Sequence, residues 1–416
     1  MNSQRFVRHF VALASLATFS ACCYAQAAPA PEATPAPAVA PAATPAAAPA
    51  PLSTFILTGP LQWLPPATFD AGPLGKLSVN GILTGFAQFQ NNSVSPDHES
   101  QATLSNGQIF IQKADGKVQY YIQAGDYTMP TLSVPFVNAQ TTGNNYYGPV
   151  PVAFLKLLAG KTTSFEIGSL PTLMGAESTF TYQNFNIERG IVWNQENAIN
   201  RGIQVNQTLG KYLSASVSWN DGYYSNRYNW LSGSVTFTKG PHSLVYDGMG
   251  NLGQTVYMTP AMPTSQQNNS YMHAVIYTYT KGSWIVQPCF QYSNLPKNLK
   301  VGVAKATSAT GGAVNVSYAF KSGFSLPVRW EYLTSSGSAN DNVSANLLGF
   351  GTGSAGTTFT ATPTYQKGGM FLRSDLAWVD ALNSTPGDVF GAKQTDKSQF
   401  RAVLEFGFIF GNNLTK

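Results

Sequence analysis

Hydrophobic and polar residues alternate along most of the chain after residue 77. Between 324 and 332 every even-numbered residue is apolar, while Arg329 and Glu331 occupy positions between them. The stretch 399–410 repeats the pattern, with Arg401 and Glu405 between large apolar residues. A period of two places alternate side chains on opposite faces of a strand, whereas a helix would need a period near 3.6. The pattern therefore predicts strands with one apolar and one polar face.

Sixteen segments carry this alternation, and we predict a β-strand in each. They are 77–90, 107–113, 117–126, 151–158, 162–169, 201–208, 212–220, 230–238, 242–249, 270–280, 283–293, 312–320, 323–333, 356–365, 369–379 and 399–410. Most of them run eight to twelve residues. That length is near the roughly 9–11 residues that a tilted strand needs to cross a bilayer.

A short turn containing Lys and Gly recurs seven times and joins these segments in pairs. The seven turns are ADGK (114–117), AGK (159–161), LGKY (209–212), TKGP (238–241), TKGS (280–283), FKSG (320–323) and QKGG (366–369). Gly tolerates positive φ in a tight reversal, and Lys keeps this end polar. The joints between pairs are longer, with nine to 31 residues rich in Asn, Ser, Gly, Thr and Pro. Short turns at one end and long loops at the other are typical of an outer-membrane barrel.

We therefore predict an all-β fold, a transmembrane antiparallel up-and-down barrel of about 16 strands spanning 77–410. Its short turns would be periplasmic and its long loops external. A secreted β-sandwich or a propeller also has alternating strands and hairpins. The barrel is favoured because lipid accounts for the apolar face without a partner sheet, and Ser, Thr, Asn and Gln on the other face suit a wet lumen. Seven aromatic residues are candidates for the membrane-interface girdles: Trp219, Tyr279, Trp284, Tyr292, Trp330, Tyr365 and Trp378.

The N-terminal region reads as an export signal followed by a spacer. Arg5 and Arg8 precede an apolar run, and Ala25-Gln26-Ala27 fits a cleavage site, so 1–27 is predicted to be a signal peptide. Lipidation at Cys22 is the alternative. Residues 28–51 are an Ala/Pro-rich periplasmic tether. The lead-in 52–76 could be a periplasmic cap, a lumen insertion or disordered, and 411–416 is a C-terminal tail.

Composition excludes several other classes of protein. Charged residues make up 10% of the chain and the formal net charge of +5 is diffuse, so no basic run suits nucleic acid. Signal cleavage would leave Cys289 as a lone cysteine, and we find neither H-E-x-x-H nor C-x-x-C, so we expect no metal site and no cofactor. An embedded hydrolase could use Ser270 with His273, but there is no G-x-S-x-G elbow. We therefore expect no catalytic residues and no enzyme activity.

A barrel of sixteen strands is wide enough for an aqueous channel, so passive diffusion of small hydrophilic solutes or ions is the expected function. The longest joint is 170–200, the third external loop. Here "GSLPTLMGAESTFTYQNFNIERGIVWNQENAINRGIQVNQTLG" and "WNDGYYSNRYNWLSGSV" resemble the putative beta-barrel porin-2 family, over roughly residues 70 to 410. The resemblance implies an outer-membrane pore and supplies no site residues of its own.

General diffusion porins, which the chain resembles in architecture, fold their third loop into the lumen. By extension, Glu177, Glu188, Arg189 and Glu196 on loop 170–200 would face charges from the strands and form a constriction with a transverse field. The strand charges are Glu166, Arg329, Glu331, Arg373, Asp375, Arg401 and Glu405. In the alternative, the loop lies outside and its charges are solvated.

The expected partners are outer-membrane lipid, the barrel assembly machinery and small polar solutes. Recognition by that machinery stays open, since Phe410 is followed by GNNLTK and is not terminal. Sixteen-stranded porins are often trimers, so a homotrimer is an expected assembly. A surface-binding or adhesion role through the aromatic loops 141–149 and 221–230 is the alternative function.

Overall fold

A computed structural model describes residues 61–256, 267–338, 341 and 343–412. The predicted signal peptide, the Cys22 alternative and the Ala/Pro tether lie outside the described residues. Among these residues the protein has eighteen strands: β1 Ala67–Asp70, β2 Lys76–Gln90, β3 Ser100–Lys113, β4 Val118–Tyr127, β5 Val152–Leu158, β6 Thr163–Pro171, β7 Ile199–Thr208, β8 Leu213–Asn220, β9 Trp230–Lys239, β10 His242–Asn251, β11 Tyr271–Lys281, β12 Trp284–Leu295, β13 Thr307–Ala319, β14 Phe324–Ser335, β15 Ala355–Ala361, β16 Thr364–Lys367, β17 Met370–Leu382 and β18 Ser398–Phe410.

The strands close into one antiparallel barrel. From β2 to β14 each strand pairs with the next, and β18 returns to pair with β2, from Arg401 opposite Gln90 to Phe410 opposite Gly81. Strands β15 and β16 share a single wall position between β14 and β17. The break between them falls at Pro363, which has no N–H to donate to the ladder. The wall therefore has sixteen positions, which confirms the predicted barrel and excludes the sandwich and the propeller.

All seven Lys-Gly turns lie at the same end of the barrel, which we call the turn end. In each of them a glycine has positive φ, from 59° at Gly240 to 152° at Gly160. An L-residue with a side chain rarely adopts that conformation, so the predicted role of glycine is confirmed. The long connections lie at the opposite, loop end. The first and last wall strands both have their free ends at the turn end, as an even strand number requires.

The two faces of the wall differ in chemistry as the alternation predicts. On β18, Phe400, Leu404 and Phe406 are exposed on the outside, whereas Arg401 and Glu405 are buried within the lumen. The same division holds along β14 and β17. Among the described residues there is no helix of the length and hydropathy needed to cross a membrane.

The connections contain little regular structure. The one α-helix of the described residues, α1, spans Ala139–Asn145, and its N-cap residue Asn138 accepts a hydrogen bond from the Thr141 N–H at 2.9 Å. Short 3₁₀ segments lie at Gly72–Leu74, Thr181–Gln183, Trp193–Gln195, Gln267–Asn269 and Leu299–Val301. Strand β1 pairs only with the start of β2, so it extends the turn end without adding to the wall.

Candidate functional site

The connection 172–198 between β6 and β7 lies inside the lumen, and we call it the lumen loop. All twelve residues from 181 to 192 are buried. A loop lying outside the barrel would keep much of this stretch in solvent. Its backbone instead meets side chains from distant wall strands, so the burial comes from the barrel that surrounds it.

Two carboxylates from the wall bind the backbone of the lumen loop. Asp375 on β17 accepts hydrogen bonds from the N–H groups of Ile187 and Glu188, at 3.1 and 2.8 Å. Glu331 on β14 accepts hydrogen bonds from a second pair of N–H groups, those of Ile191 at 3.1 Å and Val192 at 3.2 Å. Successive N–H groups that point to one side form a concavity that suits an anion. The loop therefore presents two carboxylate-binding sites that match the spacing of the wall.

Three arginines of the wall complete the contact. Arg329 donates to the Glu188 carbonyl oxygen at 2.9 Å and forms an ion pair with Glu177 of the loop. Arg401 Nη1 lies 3.0 Å from Glu188 Oε1. Arg373 donates from Nε to Glu405 at 3.1 Å and from Nη1 to the Asn184 carbonyl oxygen at 3.3 Å. We call the six wall residues of this network the clamp: Arg329, Glu331, Arg373, Asp375, Arg401 and Glu405.

Burial decides what these charges contribute. All six clamp side chains are 0–1% exposed. Transferring charges out of water is costly, and their pairing and hydrogen bonds offset that cost only while every partner is present. Removing one partner of a buried pair costs about 3–5 kcal/mol, because the remaining charge stays uncompensated. The clamp therefore holds the lumen loop firmly in a single position.

Two further charged residues of the loop are buried. Arg189 donates to the Pro130 carbonyl oxygen and the Thr131 hydroxyl, both at 3.2 Å, and its guanidinium lies 4.2 Å from the Trp193 ring centroid. The connection 128–151 therefore fixes the loop on a second side. Glu196 is 6% exposed. In the described part of the chain its Oε2 has no hydrogen-bond partner.

Aromatic packing fills the lumen beside β2–β4. Phe180 and Tyr182 of the loop stack at 5.8 Å, and Tyr182 meets the wall residue Phe110 edge-on at 5.9 Å. The Tyr182 hydroxyl donates to Gln108 at 2.9 Å and accepts from Gln123 at 3.1 Å. Together with the clamp this packing occupies one sector of the lumen, which we call the clamped side.

The sector lined by β5–β8 is different, and we call it the polar side. Lys156 Nζ lies 3.1 Å from Glu166 Oε1, and these side chains keep 22% and 12% of their surface exposed. Asn206 accepts from Gln204 at 2.8 Å and from Ser216 at 2.7 Å. Asn206 and Ser216 are only half-buried. Short polar side chains with residual exposure are what a water-filled passage requires.

Ten of the eleven charged residues predicted for a constriction lie in or around the lumen loop. Glu166 is the exception, since it pairs with Lys156 on the polar side. The ten do not form opposed acidic and basic walls. Basic and acidic residues alternate along the same strands, as Arg329 with Glu331 and Arg373 with Asp375, and bind the loop or each other. Each of these charges therefore acts on its immediate partners. The ten residues do not form the separate acidic and basic walls that a transverse field requires.

Sequence reasoning missed several residues that hold the loop or line the passage. Asn106 donates to Thr181 at 2.8 Å, and Asn186 donates to Thr362 at 2.6 Å. Lys156 was overlooked as the partner of Glu166. Asn106, Thr362 and Lys156 are polar residues that face the lumen from the wall. The period of two could have identified Lys156 on β5, but it says nothing about which loop atoms such residues contact.

The seven predicted girdle residues all lie on the outer face. Trp219 and Trp284 are each at least half exposed, and Tyr279 and Tyr292 are half-buried. Three of the seven lie towards the turn end, namely Tyr279, Trp284 and Tyr365, and three towards the loop end, namely Trp219, Tyr292 and Trp378. Trp330 is the seventh of the twelve residues of β14, so it lies at mid-height, away from either end.

The residues of the alternative functions are placed apart or buried. The Ser270 hydroxyl donates to the Gln267 carbonyl oxygen at 2.7 Å, while His273 pairs with Tyr246 on the outer face at 2.8 Å. In the described ranges no group of His, Cys, Asp and Glu is arranged to hold a metal ion. In the predicted adhesive stretch 221–230, Tyr223 and Trp230 are buried, Tyr224 is half-buried and Tyr228 is exposed.

Comparison with known proteins gives the same architecture. The family model described as putative beta-barrel porin-2, OmpL-like, matches residues 76–410. The fold is similar to the outer membrane channel DcaP of Acinetobacter baumannii, with a TM-score of 0.55 and 11% identity over 83% of this chain and 100% of that chain.

Two further solved structures are similar at the same level. The trimer form of OmpT, an outer membrane protein of Vibrio cholerae, has a TM-score of 0.50 and 10% identity, covering 80% of this chain and 99% of that one. Salmonella typhi OmpF in complex with daunomycin has a TM-score of 0.52 and 12% identity, covering 80% and 98%. No curated protein matches the sequence. At these identities the structural likeness concerns the fold alone.

Proposed function

Since this chain belongs to the putative beta-barrel porin-2 family, whose members are porin-like outer-membrane barrels, we propose that it passes small hydrophilic solutes by passive diffusion. The observation that carries the proposal is the closed wall of sixteen strand positions around a polar lumen. Barrels of about this size leave an aqueous channel, whereas an eight-stranded barrel is filled by its own side chains.

The passage would follow the polar side and be narrowed by the lumen loop. Support comes from the residual exposure of Lys156 and Glu166 and from the half-buried amides and hydroxyls beside them. On the clamped side the lumen is filled by the loop and its aromatic residues. The loop would therefore set the width of the passage mainly by its position.

Selectivity would be weak and favour neutral or zwitterionic solutes. The clamp charges are buried; five of the six lie in ion pairs, and Asp375 is bound by two N–H groups of the loop, so they would exert little net field on a passing ion. The polar side adds one cation and one anion, Lys156 and Glu166, at 3.1 Å. A pair so close has a small net effect on mobile ions beyond a Debye length of about 10 Å.

The envelope context extends the proposal. The protein would be exported with cleavage near Ala27, inserted by the barrel assembly machinery and surrounded by outer-membrane lipid. A homotrimer is proposed by analogy with OmpT of Vibrio cholerae, which has a trimer form. No catalytic step is proposed, because Ser270 and His273 have separate partners.

Reconstitution of the purified protein in a planar bilayer tests the function. Discrete conductance steps are expected, together with no release of fatty acids from the lipid. Replacing 177–196 by a short Gly-Ser linker should raise the single-channel conductance, because the loop then leaves the lumen. Unchanged conductance in that variant would contradict the role of the loop. A silent bilayer combined with lipid hydrolysis would contradict the channel itself.

A further inference from the structure

The chain enters the turn end of the lumen before the first strand begins. We call residues 61–66 the lead-in segment. Leu61 is 2% exposed and belongs to a buried cluster with Phe371 and Ile409, whose side chains point inward from β17 and β18. Of the predicted region 52–76, residues 52–60 lie outside the described residues, and residues 61–66 lie within the turn end of the lumen.

Four hydrogen bonds hold the lead-in segment to the barrel. Gln62 and Gln366 are joined twice, from the Gln62 N–H to Gln366 Oε1 at 2.8 Å and from Gln366 Nε2 to the Gln62 carbonyl oxygen at 2.7 Å. Asn80 Nδ2 donates to the Leu64 carbonyl oxygen at 3.0 Å, and the Asn412 N–H donates to Pro65 at 2.7 Å. The segment is therefore fixed to β16, to β2 and to the end of β18.

Trp63 projects from this fixed segment onto the lumen loop. Its ring meets Tyr182 of the loop edge-on, with centroids 5.6 Å apart and an interplanar angle of 75°. It meets the wall residue Phe110 in the same way, at 5.2 Å and 76°. Tyr182 also contacts Phe110, so the three rings form one cluster. The lumen loop descends from the loop end and the lead-in segment rises from the turn end, and the two touch at Trp63 and Tyr182.

We propose that Trp63 is a positioning residue for the passage, which braces the lumen loop from the turn end. The clamp binds the loop through the side chains of Glu177 and Thr181 and at several positions between residues 184 and 192. The Tyr182 side chain itself rests on Trp63, Phe110 and two glutamines. Without the ring of Trp63, Tyr182 loses its contact with the segment that enters from the turn end and keeps its contacts with the wall and with Phe180. This inference rests on the proposed channel function.

A merely structural role for Trp63 predicts a different result. If the ring served only to anchor the N-terminus, its removal would lower the stability of the barrel and leave the loop in place. A brace predicts that the loop is released while the barrel stays folded. Loop release can be measured directly, because trypsin cleaves after arginine and the buried Arg189 lies within the loop.

The test compares Trp63→Ala, Tyr182→Ala, the double variant and Trp63→Phe in the full-length chain. Trp284→Ala is the matched control, since that ring is half exposed on the outer face. Retarded migration of unheated samples in SDS gels verifies that each barrel is folded. Conductance fluctuations in planar bilayers and the rate of tryptic cleavage after Arg189 are measured on the same preparations.

We expect Trp63→Ala to raise the cleavage rate and the frequency of large-conductance events by roughly three- to tenfold, the range expected for a lost aromatic pair. Tyr182→Ala should raise both by at least as much, because it also removes the contacts with Phe110, Gln108 and Gln123. The double variant should change no more than Tyr182→Ala, and Trp63→Phe should stay near wild type. Additive effects, or cleavage at the wild-type rate in Trp63→Ala, would overturn the brace. A wild-type protein that never conducts would refute the channel, while the cleavage assay would still decide on the brace.

Discussion

The clamped side and the polar side of the lumen contain the same kinds of charged residue, but these residues have different roles. On the clamped side, Arg329 and Glu331 are completely buried and bound to the lumen loop. On the polar side, Lys156 and Glu166 keep part of their surface in solvent and bind each other. The difference arises from the loop, which supplies backbone donors and acceptors to one sector and leaves the other free.

This comparison separates structural charges from charges that a solute could meet. A buried, fully paired charge has a large effect on stability and a small effect on passing ions. A partly exposed charge has a small effect on stability and a larger effect on passing ions, since surface ion pairs contribute little to stability. The inward position of a charged residue on a strand is therefore insufficient to assign it to a selectivity filter.

The largest expected effect follows removal of an arginine from the clamp. Arg329→Ala leaves Glu177 and Glu331 without their cation and frees the Glu188 carbonyl oxygen. A loss of about 3–5 kcal/mol in unfolding free energy is expected, because the remaining carboxylates stay buried. Urea unfolding in detergent, followed by tryptophan fluorescence, measures it. The control Lys393→Ala removes an exposed cation and should change stability by under about 0.5 kcal/mol.

A methyl group added to the loop should also disturb the clamp. At Gly190 a Cβ would overlap the carboxylate of Glu331, and that carboxylate is fixed by Ile191, Val192 and Thr358. We expect Gly190→Ala to cost about 1–3 kcal/mol through overpacking and to increase tryptic cleavage after Arg189. At Gly85 a Cβ meets nothing within 4 Å, so Gly85→Ala is the control. Equal stability of the two variants would show that the loop is not held tightly.

The smallest change in stability is expected on the polar side. Glu166→Gln removes one partly exposed charge, so the free energy of unfolding should change by about 1 kcal/mol or less. The reversal potential in a KCl gradient should shift towards anions, because Lys156 is then uncompensated. Glu331→Gln should do the opposite, with a large loss of stability and little change in selectivity. If both variants shifted selectivity equally, the two sides of the lumen would not differ in function.

The alternation of apolar and polar residues was sufficient to predict the strands of the wall but not all of their boundaries. Strand β3 begins at Ser100, seven residues before the predicted start, because the register shifts by a β-bulge opposite Thr84 and Gly85 and the alternation fails there. The break at Pro363 divided one predicted strand into β15 and β16. Strand β1 and helix α1 were missed, since neither has enough residues to show a period.

The sequence alone determined the strands, their faces and the end at which the turns lie. Each of these depends on residues that are neighbours in the chain: alternating side chains, and glycines that adopt positive φ in the Lys-Gly turns. Only the tertiary structure decided that Asp375 binds the backbone at Ile187, or that Trp63 meets Tyr182. Such contacts join residues more than a hundred positions apart, and they exist only after the wall has closed and enclosed the loop.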